Sequence, residues 1–92
     1  MYKVLLSHKY KKSLKKIKKS WKHDISDIEN LVSVISSGGK LDSKHQDHSL
    51  TGKLSLYREC HIKSDLLLVY QIKERKLVLL LINIGNHSSL FK

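Results

Sequence analysis

The 92-residue sequence predicts an α+β fold of order β-α-α-β-β-β, a helical hairpin packed on a largely antiparallel four-stranded sheet. Three observations carry this. The first half holds two stretches with apolar residues at helical spacing. The second half holds three apolar, β-branched runs separated by short polar links, and short links force antiparallel neighbours. A further short apolar run, "YKVLL", opens the chain as a strand over 2–6.

Each element has its own local logic. Ser7 stands where a helix N-cap belongs. After it, Tyr10, Leu14, Ile17 and Trp21 recur at i, i+4, i+7 and i+11, with lysines at most of the positions between them, so the helix is amphipathic with a basic outer side. A second helix starts from Asp24 as N-cap and buries Ile25, Ile28, Leu31 or Val32, and Ile35. Gly38-Gly39 then supply a left-handed stop. Residues 39–54 lack sustained periodicity and read as an exposed loop whose length alone suggests a function. The strands follow as "LYRECHI" (56–62), "LLLVYQI" (66–72) and "LVLLLINI" (77–84). The last is apolar on both faces, as a strand covered on both sides would be. Gly85 provides a bend before Leu90 and Phe91. No repeat, proline or linker divides the chain, so residues 1–92 read as one domain.

Charge narrows the partner class. Eighteen Lys+Arg against eight Asp+Glu give a formal +10, a field that favours a polyanion such as RNA, DNA, an acidic protein or a membrane surface. No window approaches the roughly 18 apolar residues of a spanning helix, and the N-terminal apolar run is too short for a signal peptide, which points to the cytoplasm and away from a membrane. The single Cys60 forms no internal disulfide and reads as a small apolar strand residue. No helix-turn-helix with a polar recognition helix is evident, which argues against DNA binding by this chain alone.

His48, His61, Asp65 and His87 fall at or beyond strand ends, where a sheet displays side chains into a shared cleft. Read singly, each is also an ordinary solvated loop residue. His45 and His48 have a spacing that serves a metal, but no second close pair and no Cys pair follow, so zinc is disfavoured and no cofactor is expected. RNA cleavage needs no metal: RNA carries its own 2′-hydroxyl nucleophile and asks for a base, cationic groups for the phosphorane and an acid for the 5′-oxygen. Histidine serves as base or acid near neutral pH, and Asp65 can orient an imidazole or take the proton itself. Arg58 either holds phosphate or pairs with a carboxylate. Lys53, Lys63 and the helix lysines are candidate phosphate contacts, and Phe91 a candidate base contact or cleft wall. Tyr57 reads as a core aromatic, and His8, His23 and His45 as incidental.

The pattern Asp47-His48, Leu50, Gly52, Arg58, His61-Ile62, Asp65, Leu67-Leu68 and Tyr70, closing with Gly85, His87 and Leu90-Phe91, resembles the YafQ-type toxins of the RelE superfamily, ribosome-dependent mRNA interferases of bacterial type II toxin–antitoxin systems. The likeness is most specific from Asp47 to Phe91; the lysine-dense "KKSLKKIKKSWK" matches only as a type of segment and is more basic than such toxins require. The resemblance implies a catalytic cleft of His48, His61, Asp65 and His87, with Phe91 helping to hold mRNA. It also implies action in the ribosomal A site, products ending in a 2′,3′-cyclic phosphate and a 5′-hydroxyl, and inhibition by a cognate antitoxin. DNA would be met only indirectly, through the antitoxin complex. A non-catalytic, basic RNA- or ribosome-binding module remains the competing class.

Overall fold

A computed structural model describes residues 1–20, 25–63 and 65–90. The elements run β1 (Lys3–Leu6), α1 (His8–Ser20), α2 (Ile25–Ser36), β2 (His48–Ser49), β3 (Arg58–Lys63), β4 (Leu66–Lys73), β5 (Val78–Gly85) and α3 (His87–Leu90), with single 3-10 turns at Ser43–His45, Gly52–Leu54 and Glu74–Lys76. The α+β order is as the sequence predicts, with a single helical turn, α3, added after the last strand. One count is corrected: the sheet has five strands, in the order β1-β5-β4-β3-β2. The addition is β2, two residues at the far edge, too short for any alternation to show in the sequence.

The sheet is antiparallel except at one edge, where β1 runs parallel to β5 with Lys3 opposite Val78 and Leu6 opposite Leu81. Ser7 makes the turn from β1 into α1, its hydroxyl accepting from the Tyr10 N–H at 3.0 Å and donating to the Ile82 carbonyl at 2.5 Å. It is the expected N-cap and also a latch onto β5. Tyr10 and Ile17 of α1, and Ile28, Leu31 and Ile35 of α2, bury against Cys60, Ile62, Leu66, Leu68, Tyr70, Leu79, Leu81 and Ile84. That is the periodic set the sequence picks out, except that Leu14 and Ile25 are only partly buried and that Trp21, like the expected cap Asp24, lies outside the described residues. Gly38 adopts φ +84°, the left-handed stop that ends α2 without a Cβ penalty.

β3 begins at Arg58, later than the apolar run suggests, because the chain is still turning before it. Ser55 N–H donates to Gly52 and Tyr57 N–H to Leu54, which leaves Leu56 73% exposed and Tyr57 half-buried. β4 is buried along Leu66–Tyr70, as a central strand covered on both faces must be.

Strand alternation then sorts β3. Cys60 and Ile62 point into the helical layer, so Glu59 and His61 point to the other face. The thiol of Cys60 is buried there and pushed up to about 12 by desolvation, in keeping with a small apolar residue and not a reactive one.

Candidate active site

The 39–57 segment is a built platform and not a slack loop. Asp42 opens it, its carboxylate accepting from the Lys44 N–H at 3.0 Å, a bond that holds the Asp42 carboxyl below its ordinary range. The Ser43–His45 turn follows, and His45 Nδ1 lies 2.6 Å from the His61 carbonyl oxygen, to which it can only donate. His45 is therefore a strut between the platform and β3, not incidental. Gln46 closes the turn at φ +48°, a left-handed conformation that reverses the chain.

The next two residues divide between the faces of the sheet. Asp47 turns toward the helical side. There it accepts from Arg58 Nε at 3.4 Å and Nη2 at 3.1 Å, and from the Tyr70 hydroxyl at 2.5 Å. Arg58 and Tyr70 are directly opposed on β3 and β4, so two neighbouring strands grip one carboxylate. Burial and the Asp47 carboxylate push the Tyr70 hydroxyl well up, and the same carboxylate raises Arg58. Of the two roles open to Arg58, the structure places it in the carboxylate pair.

His48 turns the other way and pairs in register with Glu59. Its Nδ1 lies 2.6 Å from the Gln46 carbonyl oxygen, which accepts and never donates, so Nδ1 carries the proton and the neutral ring keeps its lone pair on Nε2. That Nε2 is 3.9 Å from Glu59 Oε1, and His61 Nε2 reaches the same oxygen at 3.6 Å. Glu59 is only 5% exposed, the one buried charged residue among those described. It is a candidate site residue that the sequence reading missed. The available signal was alternation: once Cys60 and Ile62 are assigned inward, Glu59 joins His61 and, across the register, His48.

The rest of the set is arranged by topology. His61 opposes Leu67, and Leu67 opposes Gly85, so the strand that leads to His87 lies two strands, about 10 Å, from His61 at the same end of the sheet. Asp65 sits exposed in the β3–β4 turn at that end. A Cβ on Gly85 would lie 2.5 Å from Ser89 Oγ, so a side chain there would turn the Ser89 hydroxyl away from the Asn86 carbonyl to which it donates. Asn86 caps the short helix through its side chain, which accepts from the Ser89 N–H at 2.8 Å. His87, first residue of α3, is exposed. Lys63 is ion-paired with Asp27 of α2 at 2.8 Å. Lys53 lies in the Gly52–Leu54 turn, and Phe91 and His23 are outside the described residues. A cleft of about 650 Å³ opens between α2, the platform and the end of β3, with His45, His61 and Lys63 on its walls. Among the described residues no group of three His, Cys, Asp or Glu is placed to hold a metal ion, and no helix is long and apolar enough to cross a membrane.

Comparison with known proteins gives the family. The family described as "Bacterial toxin of type II toxin-antitoxin system, YafQ" matches residues 2–92. The chain belongs to the YafQ toxin family. A metal-bound toxin from Helicobacter pylori is 41% identical, with 99% of this chain and 100% of that one covered at a TM-score of 0.92. The YafQ-type fold recurs in the E. coli DinJ-YafQ toxin-antitoxin complex, at 26% identity and a TM-score of 0.88 over 99% of this chain and 98% of that one. A curated YafQ toxin of Haemophilus influenzae is 52% identical over 31 residues, 34% of this chain. The match spans 30% of that relative's length.

Proposed function

We propose that this YafQ-family chain is a ribosome-dependent endoribonuclease that cleaves mRNA in the A site by metal-independent acid–base catalysis. The observation that carries the reading is the shared carboxylate: one buried Glu59 oxygen faces the Nε2 atoms of both His48 and His61. A buried charge is costly unless it is paired, and this one has two imidazoles as its partners, on a face where a substrate can reach them.

The chemistry follows from the hydrogen bonds. His48, held with its proton on Nδ1, presents the Nε2 lone pair as the base for the 2′-hydroxyl proton. The imidazolium that forms gains attraction from Glu59, which is a positioning residue and never meets the substrate. The freed 2′-oxygen attacks the adjacent phosphorus. His61, on the same carboxylate, and Lys63 offer positive charge to the phosphorane oxygens. His87 protonates the departing 5′-oxygen, Asp65 orients the groups at that end, and Phe91 stacks on an unpaired base. The P–O5′ bond breaks as P–O2′ forms, giving a 2′,3′-cyclic phosphate and a 5′-hydroxyl. The chain works in the cytoplasm, and an antitoxin like the one in the E. coli complex covers it until released. It meets DNA only as part of that complex.

The test is cleavage of mRNA on purified ribosomes. His87→Ala removes cleavage while ribosome binding stays nearly intact; a fully active variant refutes the assignment of the acid. Activity persists in chelator, because a metal on Glu59, His48 and His61 would occupy the lone pairs that proton transfer needs. Loss of activity in chelator with recovery on added zinc would favour metal chemistry. Ribosome binding with no cuts by the unaltered chain would favour a non-catalytic binding module.

A further inference from the structure

Most of the basic surface is not at the cleft. Seven lysines, Lys9, Lys11, Lys12, Lys15, Lys16, Lys18 and Lys19, lie within the thirteen residues of α1, and all seven are exposed. The helix holds no acidic residue, and among the described residues none of the seven is ion-paired. α1 buries Tyr10 and Ile17 in the core on the Cys60/Ile62 side of the sheet, whereas Glu59 and His61 face the opposite side. A helix and a sheet layer therefore separate the lysines from the imidazoles of His48 and His61. That thickness exceeds the Debye length of about 8 Å at physiological salt, so α1 adds little to charge stabilisation at the scissile phosphate.

We infer that α1 is a second nucleic-acid surface, a sequence-independent grip on the phosphate backbone of double-helical RNA, and that it anchors the chain to structured RNA while the opposite face cuts. The inference rests on the ribosome-directed reading above and extends it to a separate surface. Three observations select this occupant. A groove of about 310 Å³ runs along the helix between His8, Lys11, Lys12, Leu14, Lys15 and Lys18, lined by lysine stems and headed by ammonium groups. From His8 to Lys19 the row extends about 16 Å at 1.5 Å per residue, which matches a run of successive backbone phosphates and not a single anion.

The groups present are lysines, point charges that hold phosphate without reading bases. Unpaired bases would need exposed aromatics to stack on, and Tyr10, the only aromatic in α1, is 3% exposed. A membrane surface would need apolar side chains to insert. Leu14 is half-buried and Ile17 buried, so the outer side of α1 offers none.

The experiment measures binding of the full chain to a fluorescent 2′-O-methyl RNA hairpin, which cannot be cut because its nucleophile is blocked. The variant Lys11→Gln/Lys12→Gln/Lys15→Gln/Lys18→Gln is compared with a charge-matched control, Lys3→Gln/Lys73→Gln/Arg75→Gln/Lys76→Gln. The α1 variant should bind roughly 100-fold more weakly and show a log K against log salt slope shallower by about 3, each phosphate contact contributing about 0.9 on duplex DNA. The control should keep the slope. Equal losses in both variants, or unaltered binding by the α1 variant, overturn the proposal. Anionic vesicles or polyglutamate bound through the same four lysines, with hairpin binding unaffected, would overturn it in favour of a membrane or an acidic protein. If the fourfold variant loses its circular dichroism signal, Lys12→Gln and Lys15→Gln are measured singly, each expected to lower the slope by about 0.9. Because the hairpin is never cleaved, a chain that lacks nuclease activity and a chain that lacks this RNA surface give different results.

Discussion

Removing the carboxylate of Asp47 tests the platform that presents His48. Asp47→Ala leaves the buried Tyr70 hydroxyl, which donates to Asp47 at 2.5 Å and has the Arg58 guanidinium beside it as a donor, without its acceptor. A buried donor stripped of its partner costs about 1–3 kcal/mol. The Arg58 pair adds less, because its side chains are 39% and 26% exposed, and such pairs are worth about 0–1 kcal/mol. The sum is about 1–4 kcal/mol, which for a domain of this length lowers Tm by about 5–30 °C. Tyr70→Phe alone removes the donor and leaves the Arg58 pair, at about 1 kcal/mol. In the double variant no hydroxyl is stranded, so the two losses should fall short of additive by about 1–2 kcal/mol. Urea denaturation followed by circular dichroism measures all three. A cost for Asp47→Ala below about 0.5 kcal/mol, or strict additivity, would show that the grip of Arg58 and Tyr70 on Asp47 does not hold the platform.

Three further outcomes follow from the geometry. Glu59→Gln keeps the shape but removes the buried charge, so cleavage should fall about 100-fold while the urea midpoint holds or rises, since a buried carboxylate is a poor stabiliser; unchanged cleavage would remove Glu59 from the mechanism. Gly85→Ala displaces the Ser89 hydroxyl from the Asn86 carbonyl, a loss of about 0.5–1.5 kcal/mol, so Tm should fall by about 3–10 °C in thermal denaturation; a larger fall would show that the backbone itself cannot accept a Cβ there. With its thiol pushed up to about 12, Cys60 should resist iodoacetamide at about pH 8 in the folded protein and react readily in urea. Rapid labelling of the native chain would contradict its burial.

The fold was legible where periodicity is long enough to count. The Tyr10 and Ile17 spacing, the Ser7 cap, the Gly38 stop and the apolar runs of β4 and β5 all correspond to observed elements. β2 was illegible because two residues carry no period, and its pairing is made by the platform that delivers it. Of the candidate site, His48 and His61 do meet, but through a third residue. Glu59 resembled the polar half of an alternating strand, since a one-dimensional pattern does not say which outward position will be roofed over. Arg58 was ambiguous for a different reason. Guanidinium serves phosphate and carboxylate alike, and its partner Asp47 lies eleven residues away with a reversal of the chain between them.

The parallel pairing of β1 with β5 bears on when activity arises during synthesis. Lys3 finds its partner only at Val78, so the N-terminal strand has no neighbour in the sheet until nearly the entire sequence has been made. Long-range parallel pairing of this kind forms late and slowly. His87 lies just beyond that same partner strand, so the groups proposed to cut RNA come together only after the chain has emerged. On the proposed function, a ribosome making this chain is spared its action until translation of the sheet is done.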